Sequence, residues 1–531
     1  MRFSGKFANT FSRATCPKWV VVLTFLLISA SSTLTASAAE TDTKDDVKKL
    51  IKEAAKLTRA GLMPEAEEKL RKALAIDANR NDTKVELAYV LVKQRRLGEA
   101  YEICYPIVLA EPRNARARSV LGAMLISAGQ FQDARRVLYS AIALDRSEDL
   151  AWAGYGMLDF YENRLAASYA NLLQAVYLSP NEPDYLFALA QVSARSERYK
   201  EAAEAYSDFL SVSKSTDADR RARIIGLISF LKFLGGVGNL YVNGSNEQTS
   251  VKFELVGNRP IIKLRINDNE EPLRFVLDTG SGISVLSEDI ATERKIKAVA
   301  KGGHARGIGG DGRFAIVYGL LKKVRLGDVS IKNVPVYIRK FHTDGQSGGQ
   351  KVDGYIGLAL ISKFLTTIDY GNLTFSLTRK ESDRKEFTDS DGGSQPLRLT
   401  SSGFLSGQVE IQGVDSKLNF IVDTGASVSV ISDRVSRTEG VSLFSNDERL
   451  RVVGAAGVTE DVPTFLLPRV TFGDHSRESI MAIALDLDVI NEASGFEQAG
   501  ILGGNFLKNY KLTFDFRNSK VTFVPIKVEK E

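Results

Sequence analysis

Two stretches of this 531-residue chain place a carboxylate directly after a run of apolar residues. Asp278 follows the run 275–277, and Asp423 follows the similar run 420–422. An apolar run of this length that ends near glycine is typical of a buried strand, so both carboxylates are expected at the edge of a core. Two carboxyl groups that share one buried site cannot both ionise easily, and one of them keeps its proton. Such a pair supplies a general acid and a general base together.

The sequence around the two carboxylates is duplicated as well. Asp278 and Asp423 are 145 residues apart, and Gly354 and Gly500, each in a later apolar-glycine step, are 146 residues apart. Both halves contain, in the same order, an alternating strand, the Asp-Thr-Gly loop, an apolar tail, a glycine-rich hairpin, the apolar-glycine step and a last strand. The paired segments are 262–266 and 409–411, 283–287 and 428–432, 307–312 and 454–457, 353–357 and 499–503, and 368–370 and 514–516. We therefore predict two similar lobes that bring the carboxylates face to face.

The loops themselves resemble the active-site loops of pepsin-like and retroviral-type (retropepsin-like) aspartic proteases, over roughly residues 250–531. The resemblance implies two all-β lobes that form a pseudo-twofold unit, with Asp278 and Asp423 as the catalytic pair. It implies that the neighbouring loop residues support this pair and that the two threonines lock the loops together. These support residues are Thr279, Gly280, Ser281, Thr424, Gly425 and Ala426.

In the resembling family, a glycine-rich hairpin forms a flap over the substrate. Pepsin-like enzymes have one flap with a tyrosine, whereas this sequence has two glycine-rich hairpins and neither clearly shows that pattern. The retroviral type with two flaps is therefore the closer match. The flap residues implied are Gly307, Ile308, Gly309, Gly310, Gly454, Ala455, Ala456 and Gly457. A phosphate-binding loop is a weak alternative for 307–312, because no Lys-Ser/Thr follows it and no βαβ unit surrounds it.

The two loops differ at one position, where Ser281 is matched by Ala426. A hydroxyl that donates to a carboxylate favours the charged form. We therefore expect Asp278 to be the ionised member of the pair and Asp423 the protonated one.

A 34-residue period marks the region before the two lobes. Ala66, Ala100, Ala134, Ser168 and Ala202 recur at this interval, as do Ala73, Ile107, Ala141, Ala175 and Phe209. The period, with small residues where paired helices touch, resembles the tetratricopeptide repeat (TPR). It predicts an all-α TPR superhelix over 46–234, with about five repeats and a terminal helix that covers the last one. The concave face is expected to bind a peptide or protein partner, and a spacer that stabilises or positions the lobes is an equal alternative.

The sequence becomes rich in glycine and β-branched residues near residue 235, which indicates a change to all-β structure. We assign lobe 1 to 250–379 and lobe 2 to 396–531, with a solvated linker at 380–395. The linker length favours pairing of the lobes within one chain, as a monomer, but it leaves open pairing between two chains.

The first residues are typical of a secretory leader. The segment 1–39 has a basic start, an apolar run at 19–30 and small residues, 36–38, suited to cleavage. We expect export to the periplasm or the medium of a bacterium. A membrane anchor formed by an uncleaved leader is less favoured, because the apolar run is short for a transmembrane span.

Composition excludes several other classes of protein. The chain carries a net charge of +5, most of it in the leader, so nucleic acid is not expected as a partner. Only Cys104 follows the leader, so no internal disulfide can form, and the three histidines lack metal-ligand spacing. We predict an aspartic-type endopeptidase that needs no cofactor and no metal and acts on polypeptides. The alternative is an exported scaffold that binds peptides without cutting them.

Overall fold

The computed structural model of the chain describes residues 35–214, 217–310, 312–341, 351–379 and 393–526, with side chains from residue 45 onward. It confirms the predicted fold class, a helical array followed by two β-rich lobes. Residues 1–34 of the predicted leader and residues 380–392 of the predicted linker lie outside the described residues. Within the described residues, none of the helices combines the length and the apolar character that a membrane span requires.

Ten N-terminal helices form five pairs of chain neighbours, and an eleventh helix covers the last pair. Equivalent helices of successive pairs are separated by the 34-residue period of the sequence. The helices are α1 (Thr35–Arg59), α2 (Met63–Ile76), α3 (Asn81–Lys93), α4 (Leu97–Ala110), α5 (Ala115–Ser127), α6 (Phe131–Leu144), α7 (Asp149–Tyr161), α8 (Leu165–Leu178), α9 (Pro183–Arg195), α10 (Tyr199–Val212) and α11 (Ala218–Val237).

The repeated small residues hold these helices together. The five residues of the first recurring set are all fully buried. Each has 0% exposure: Ala66, Ala100, Ala134, Ser168 and Ala202. A side chain of this size lets helices pack closely without a void, whereas a larger one would force them apart. The core of the array consists of two apolar clusters, one that runs from α1 to α9 and one formed by α9, α10 and α11, and each repeat packs on the next.

The strands and short helices of the two lobes begin after α11. The strands are β1 (Val242–Asn243), β2 (Gln248–Lys252), β3 (Glu254–Val256), β4 (Arg259–Ile266), β5 (Leu273–Leu277), β6 (Ser284–Ser287), β7 (Ala298–Arg306), β8 (Arg313–Leu326), β9 (Val329–Arg339), β10 (Gly354–Ile356), β11 (Leu365–Asp369), β12 (Thr374–Thr378), β13 (Ser394–Pro396), β14 (Arg398–Leu399), β15 (Leu405–Ile411), β16 (Leu418–Val422), β17 (Ser429–Ser432), β18 (Ser445–Gly454), β19 (Gly457–Phe472), β20 (His475–Leu485), β21 (Gly500–Leu502), β22 (Tyr510–Asp515) and β23 (Lys520–Pro525). The helices are α12 (Glu288–Glu293), α13 (Leu358–Ile361), α14 (Asp433–Ser436), α15 (Glu439–Ser442), α16 (Asp488–Ser494) and α17 (Gly504–Leu507).

Each lobe is built on one sheet of the same design. Lobe 1 has the order β1-β9-β6-β10-β5-β4-β8-β7, with β3 paired to β4, and lobe 2 has the order β14-β15-β16-β21-β17-β20-β19-β18. The central run β9-β6-β10-β5-β4 in lobe 1 corresponds to β20-β17-β21-β16-β15 in lobe 2. The duplication in the sequence is thus a duplication of strand order.

A third sheet, β13-β23-β22-β11-β12-β2, is shared by the two lobes. Its central strands β11 and β22 pair in antiparallel register, and the hydroxyls of Thr367 and Thr513, 146 residues apart, are hydrogen-bonded at 3.2 Å. The shared sheet joins the lobes within one chain. Ser394 and Gln395, which the sequence analysis placed in the linker, belong to β13, because they pair with β23.

The helical array packs directly against both lobes. Phe496 of lobe 2 is 0% exposed and lies in the core of the array, with ring centroids 4.8 Å from Phe131 and 5.0 Å from Tyr161. Asn163 donates to the carbonyl of Phe516 at 3.1 Å. The array is therefore part of the same folded body as the lobes.

Candidate active site

Each candidate catalytic carboxylate lies at the C-terminal end of a buried strand. Asp278 follows β5 and Asp423 follows β16, and the strand of the apolar-glycine step, β10 or β21, runs parallel beside it. The amide of Asp278 donates to the carbonyl of Ile356 at 3.0 Å, and the amide of Asp423 donates to Leu502 at 3.0 Å. The duplicated step therefore fixes both loops in the same way.

Gly280 and Gly425 let the two carboxyl groups approach each other across the lobe boundary. A Cβ on Gly280 would lie 2.4 Å from Cγ of Asp423, and one on Gly425 would lie 2.7 Å from Cγ of Asp278. Such distances are shorter than van der Waals contact, so a larger residue would push the carboxylate away. Each glycine amide also donates to the aspartate of its own loop, at 2.9 Å in lobe 1 and 2.7 Å in lobe 2.

Reciprocal threonine contacts join the two loops. The amide of Thr279 donates to Oγ1 of Thr424 at 3.2 Å, and the amide of Thr424 donates to Oγ1 of Thr279 at 3.0 Å. Each hydroxyl then donates to a carbonyl of the other lobe, Thr279 to Val422 and Thr424 to Leu277, both at 2.7 Å. Both threonines are 0% exposed, so these hydrogen bonds are shielded from water and hold the aspartates in one relative position.

The two carboxyl groups differ in their electrostatic surroundings. Burial and the charge of Asp423 raise the pKa of Asp278 well above its usual value. Burial also raises the pKa of Asp423, but hydrogen bonds from the amide of Gly425, from the Asp278 carboxyl and from the amides of Ala426 and Gly280 oppose this shift. Both pKa values are therefore raised, and because two buried carboxyl groups in contact cannot both ionise easily, the pair holds one proton between them.

The hydrogen bond from Ser281 to a carboxylate, on which the expected order of ionisation rested, is not formed, so that order stays a prediction without this support. Ser281 instead donates through its hydroxyl to the carbonyl of Ile283 at 3.0 Å. Its own carbonyl accepts from the amide of Leu358 at 2.8 Å, as the carbonyl of Ala426 accepts from Gly504 at 2.7 Å in lobe 2. Ser281 and Ala426 therefore have the same role in holding the loop, and the hydroxyl does not distinguish the two aspartates.

The two glycine-rich hairpins meet at their tips. One joins β7 to β8 and the other joins β18 to β19. The amide of Ala456 donates to the carbonyl of Ile308 at 2.9 Å, and the amide of Gly310 donates to Val458 at 3.0 Å. The side chain of Ile308 packs on the same apolar cluster of lobe 2 as Ala426 of the active-site loop. The hairpins therefore interlock across the lobe boundary, next to the loop of Asp423.

Within the described residues, the first of the two hairpins packs against the helical array and the second does not. Helix α11 lies so close to β7 that a Cβ on Gly226 would be 2.2 Å from the Cα of Gly302. The rings of Phe230 and Tyr318 are stacked at 4.2 Å. The second hairpin leaves Val453 38% exposed. The sequence predicted α11 as a cover for the repeats, but not this second role against the first hairpin.

Sequence reasoning also missed Arg339 and Tyr355, which lie beside the aspartate pair. Burial raises the pKa of Tyr355, which lies within electrostatic range of Asp278, Asp423 and Arg339. Tyr355 is in the apolar-glycine step, so that step could have indicated it. Arg339 could have been found by comparing the two halves position by position, because its counterpart in lobe 2 is not charged.

Comparison with known protein families gives the class of the two lobes. The family model described as aspartyl protease matches residues 262–360 and again residues 407–506. Each match covers the loop, the hairpin and the apolar-glycine step of one lobe. The two lobes are therefore each similar to an aspartyl protease domain. No curated protein matches the chain.

Solved structures similar to the chain contain helical repeats. A thermophilic TPR protein of Thermus thermophilus is 21% identical, with 34% of this chain and 98% of that chain covered and a TM-score of 0.30. PilF of Pseudomonas aeruginosa is 19% identical, with 37% and 88% covered and a TM-score of 0.27. MamA of Desulfovibrio magneticus is 21% identical, with 33% and 98% covered and a TM-score of 0.23.

Proposed function

We propose that this protein is an exported aspartic endopeptidase that hydrolyses polypeptides with a water held between Asp278 and Asp423. The observation that carries the proposal is the close approach of two buried carboxyl groups, whose pKa values burial raises, where two lobes that match the aspartyl protease model meet. The other observations that support it are the threonine contacts, which fix the geometry of the pair, and the interlocked hairpins, which are suited to cover an extended peptide.

The proposed mechanism assigns one role to each carboxyl group. The ionised one takes a proton from the water, and the water oxygen attacks the carbonyl carbon of the peptide bond. The protonated one donates a hydrogen bond to the carbonyl oxygen and stabilises the charge that develops there. The proton taken from the water then passes to the leaving nitrogen as the C–N bond breaks. This is general acid–base catalysis, with no covalent intermediate and no step that uses a metal.

We further propose that the helical array binds a polypeptide partner or substrate on its inner face. A cavity of about 500 Å³ lies there, lined by residues of α1, α3, α5, α7 and α9. It contains Glu86, Glu148 and Glu182 together with Arg116 and Tyr89. Groups of this kind offer hydrogen bonds and ion pairs to an extended chain. Export is proposed from the leader-like segment at 1–39.

The decisive experiment incubates the purified chain with a mixture of denatured proteins and identifies the peptide products by mass spectrometry. We expect internal cleavage by the wild type and a loss of about 10²–10⁴-fold or more in Asp278→Asn and in Asp423→Asn. An exposed substitution, Asp415→Asn, is the matched control and should leave the rate unchanged. Peptide binding without any products, unaffected by these variants, would support the scaffold alternative instead.

A further inference from the structure

Arg339 is a partly buried cation without a polar partner among the described residues. It ends strand β9, and its guanidinium forms no ion pair and no hydrogen bond with the described residues, while its Nε is fully shielded from solvent. Its contacts are two aromatic rings, with the guanidinium 4.9 Å from the centroid of Phe314 and 5.8 Å from that of Phe341. Burial lowers the pKa of Arg339. A buried charge in this state is costly unless a partner of opposite charge arrives.

The neighbours of Arg339 place it in the wall of the active site. Phe314 comes shortly after the first flap in the sequence. Its ring lies against that flap, because a Cβ added to Gly307 would be 3.0 Å from a ring carbon of Phe314. Phe341 packs edge-on against Tyr355 at 5.3 Å, and Tyr355 directly precedes Ile356, which holds the amide of Asp278. Arg339 also interacts electrostatically with Asp278. It therefore lies between the first flap and the catalytic loop of lobe 1.

The aspartate pair does not satisfy this cation. The pair carries one negative charge, which the two carboxyl groups share and which the amides of Gly280 and Gly425 stabilise by hydrogen bonds of 2.9 and 2.7 Å. Within the described residues, neither carboxyl group forms an ion pair or a hydrogen bond with Arg339. The guanidinium fork thus remains available for a carboxylate, which it can bind through two parallel hydrogen bonds.

The second lobe has an apolar residue at the corresponding position. In lobe 1, β6 and β9 pair in parallel with Ser287 opposite Arg339. In lobe 2, β17 and β20 pair in the same register with Ser432 opposite Leu485. Leu485 is 9% exposed and belongs to an apolar cluster that includes Ile421 and Ile501. The two halves of the site therefore differ in charge at one matched position.

We propose that Arg339 is a specificity-determining residue that selects an acidic side chain of the polypeptide substrate on the lobe 1 side of the scissile bond. The matched position in lobe 2, at Leu485, accepts an apolar side chain. Because a peptide has a direction, this asymmetry also fixes which way the substrate lies across the aspartate pair. The inference rests on the proposed protease function and adds the class of substrate to it.

The test uses peptide pairs that differ only by Glu or Gln at one position near the cleavage site. We expect the wild type to cleave the Glu peptide with a kcat/KM about 10- to 100-fold higher at one position. Arg339→Leu should lose that preference, because it gives lobe 1 the residue of lobe 2, and Arg339→Lys should retain part of it. Arg469→Leu, on the exposed face of β19, is the matched control and should keep the full preference. Thermal unfolding establishes that each variant is folded.

The outcomes separate this inference from the proposed function. Cleavage without a Glu preference, or a Glu preference that survives in folded Arg339→Leu, would overturn the inference while leaving the protease intact. If no peptide is cleaved, binding is measured by fluorescence anisotropy with the Asp278→Asn chain and the same labelled peptides. Tighter binding of the Glu peptide that disappears in Asp278→Asn/Arg339→Leu would then support the role of Arg339 although hydrolysis had failed. Equal binding of both peptides would refute it.

Discussion

The two aspartates occupy similar loops, and each accepts one hydrogen bond from the amide of its own loop glycine, at 2.9 Å for Asp278 and 2.7 Å for Asp423. Burial raises the pKa of both carboxyl groups, so they share one proton. The macroscopic pKa values belong to the pair, and activity requires the state with one proton. We expect the rate to fall at low pH, when both are protonated, and again at a pH well above the usual range of aspartate, when the pair loses its remaining proton.

The same raised pKa predicts how the stability of the fold depends on pH. A carboxyl group whose pKa is higher in the folded state stabilises that state below its unfolded pKa, and this contribution is lost as the pH rises through the folded pKa. Asparagine has no proton to lose. We therefore expect Asp278→Asn to unfold at a higher temperature than the wild type at pH 7, with the difference vanishing near pH 3. Scanning calorimetry of both proteins measures this, and a variant less stable at pH 7 would contradict it.

The threonine contacts give a second prediction for single residues. Thr424→Val keeps the shape of the side chain but leaves the amide of Thr279 and the carbonyl of Leu277 without partners. Unsatisfied buried groups cost about 1–3 kcal/mol each, so the two groups together should lower the free energy of unfolding by about 2–6 kcal/mol. Thr424→Ser retains the hydroxyl and is the control. Equal stability of the two variants in urea denaturation would show that the hydrogen bonds are unimportant.

At the scale of elements, the flaps are similar in sequence but differently supported. The first hairpin lies against α11, which is part of the helical array, and the second has no such support among the described residues. Hydrogen exchange of the flap amides should therefore be slower in the first hairpin than in the second, because opening the first must also separate α11 from β7.

Two glycines of α11 test this support with a matched pair of substitutions. A Cβ on Gly226 would be 2.3 Å from the carbonyl oxygen of Lys301 in β7, whereas one on Gly236 would meet nothing within 4 Å. Alanine favours a helix over glycine by about 1 kcal/mol. We expect Gly236→Ala to stabilise the protein slightly, and Gly226→Ala to destabilise it and speed exchange in the first flap. Identical effects of the two changes on unfolding and exchange would disprove the contact.

At the scale of the whole molecule, Phe496 joins lobe 2 to the helical array. We expect Phe496→Ala to cost about 3–5 kcal/mol, since the ring is fully buried among Phe131 and Tyr161. It should also make the junction between array and lobes sensitive to limited proteolysis. Tyr177→Ala, which removes a ring that is 79% exposed, is the control. Resistance of the Phe496 variant to proteolysis would mean that the array is held by its other contacts.

The repeat, the duplication and the approach of the two aspartates could all be predicted from the sequence. These features were readable because they depend on local patterns: a 34-residue period of small residues, and apolar runs that end in Asp-Thr-Gly twice in the same context. Each repeated unit must bury its apolar face against the next, so the pattern leaves few alternatives for the fold.

The partner of the Ser281 hydroxyl, the position of the array and the surroundings of Arg339 could not be predicted from the sequence and are visible only in the folded chain. Ser281 has the chemistry to donate to a carboxylate, yet the turn directs its hydroxyl to Ile283. In the sequence, nothing distinguishes Phe496 from an ordinary loop residue, and its burial results from packing in the core of the helical array. The burial of Phe496 depends on contacts with helices hundreds of residues earlier in the chain, and the Ser281 hydrogen bond depends on the geometry of a turn, and no local sequence pattern encodes either one. The sequence specifies which groups are present, whereas their electrostatic state follows from what folding places around them.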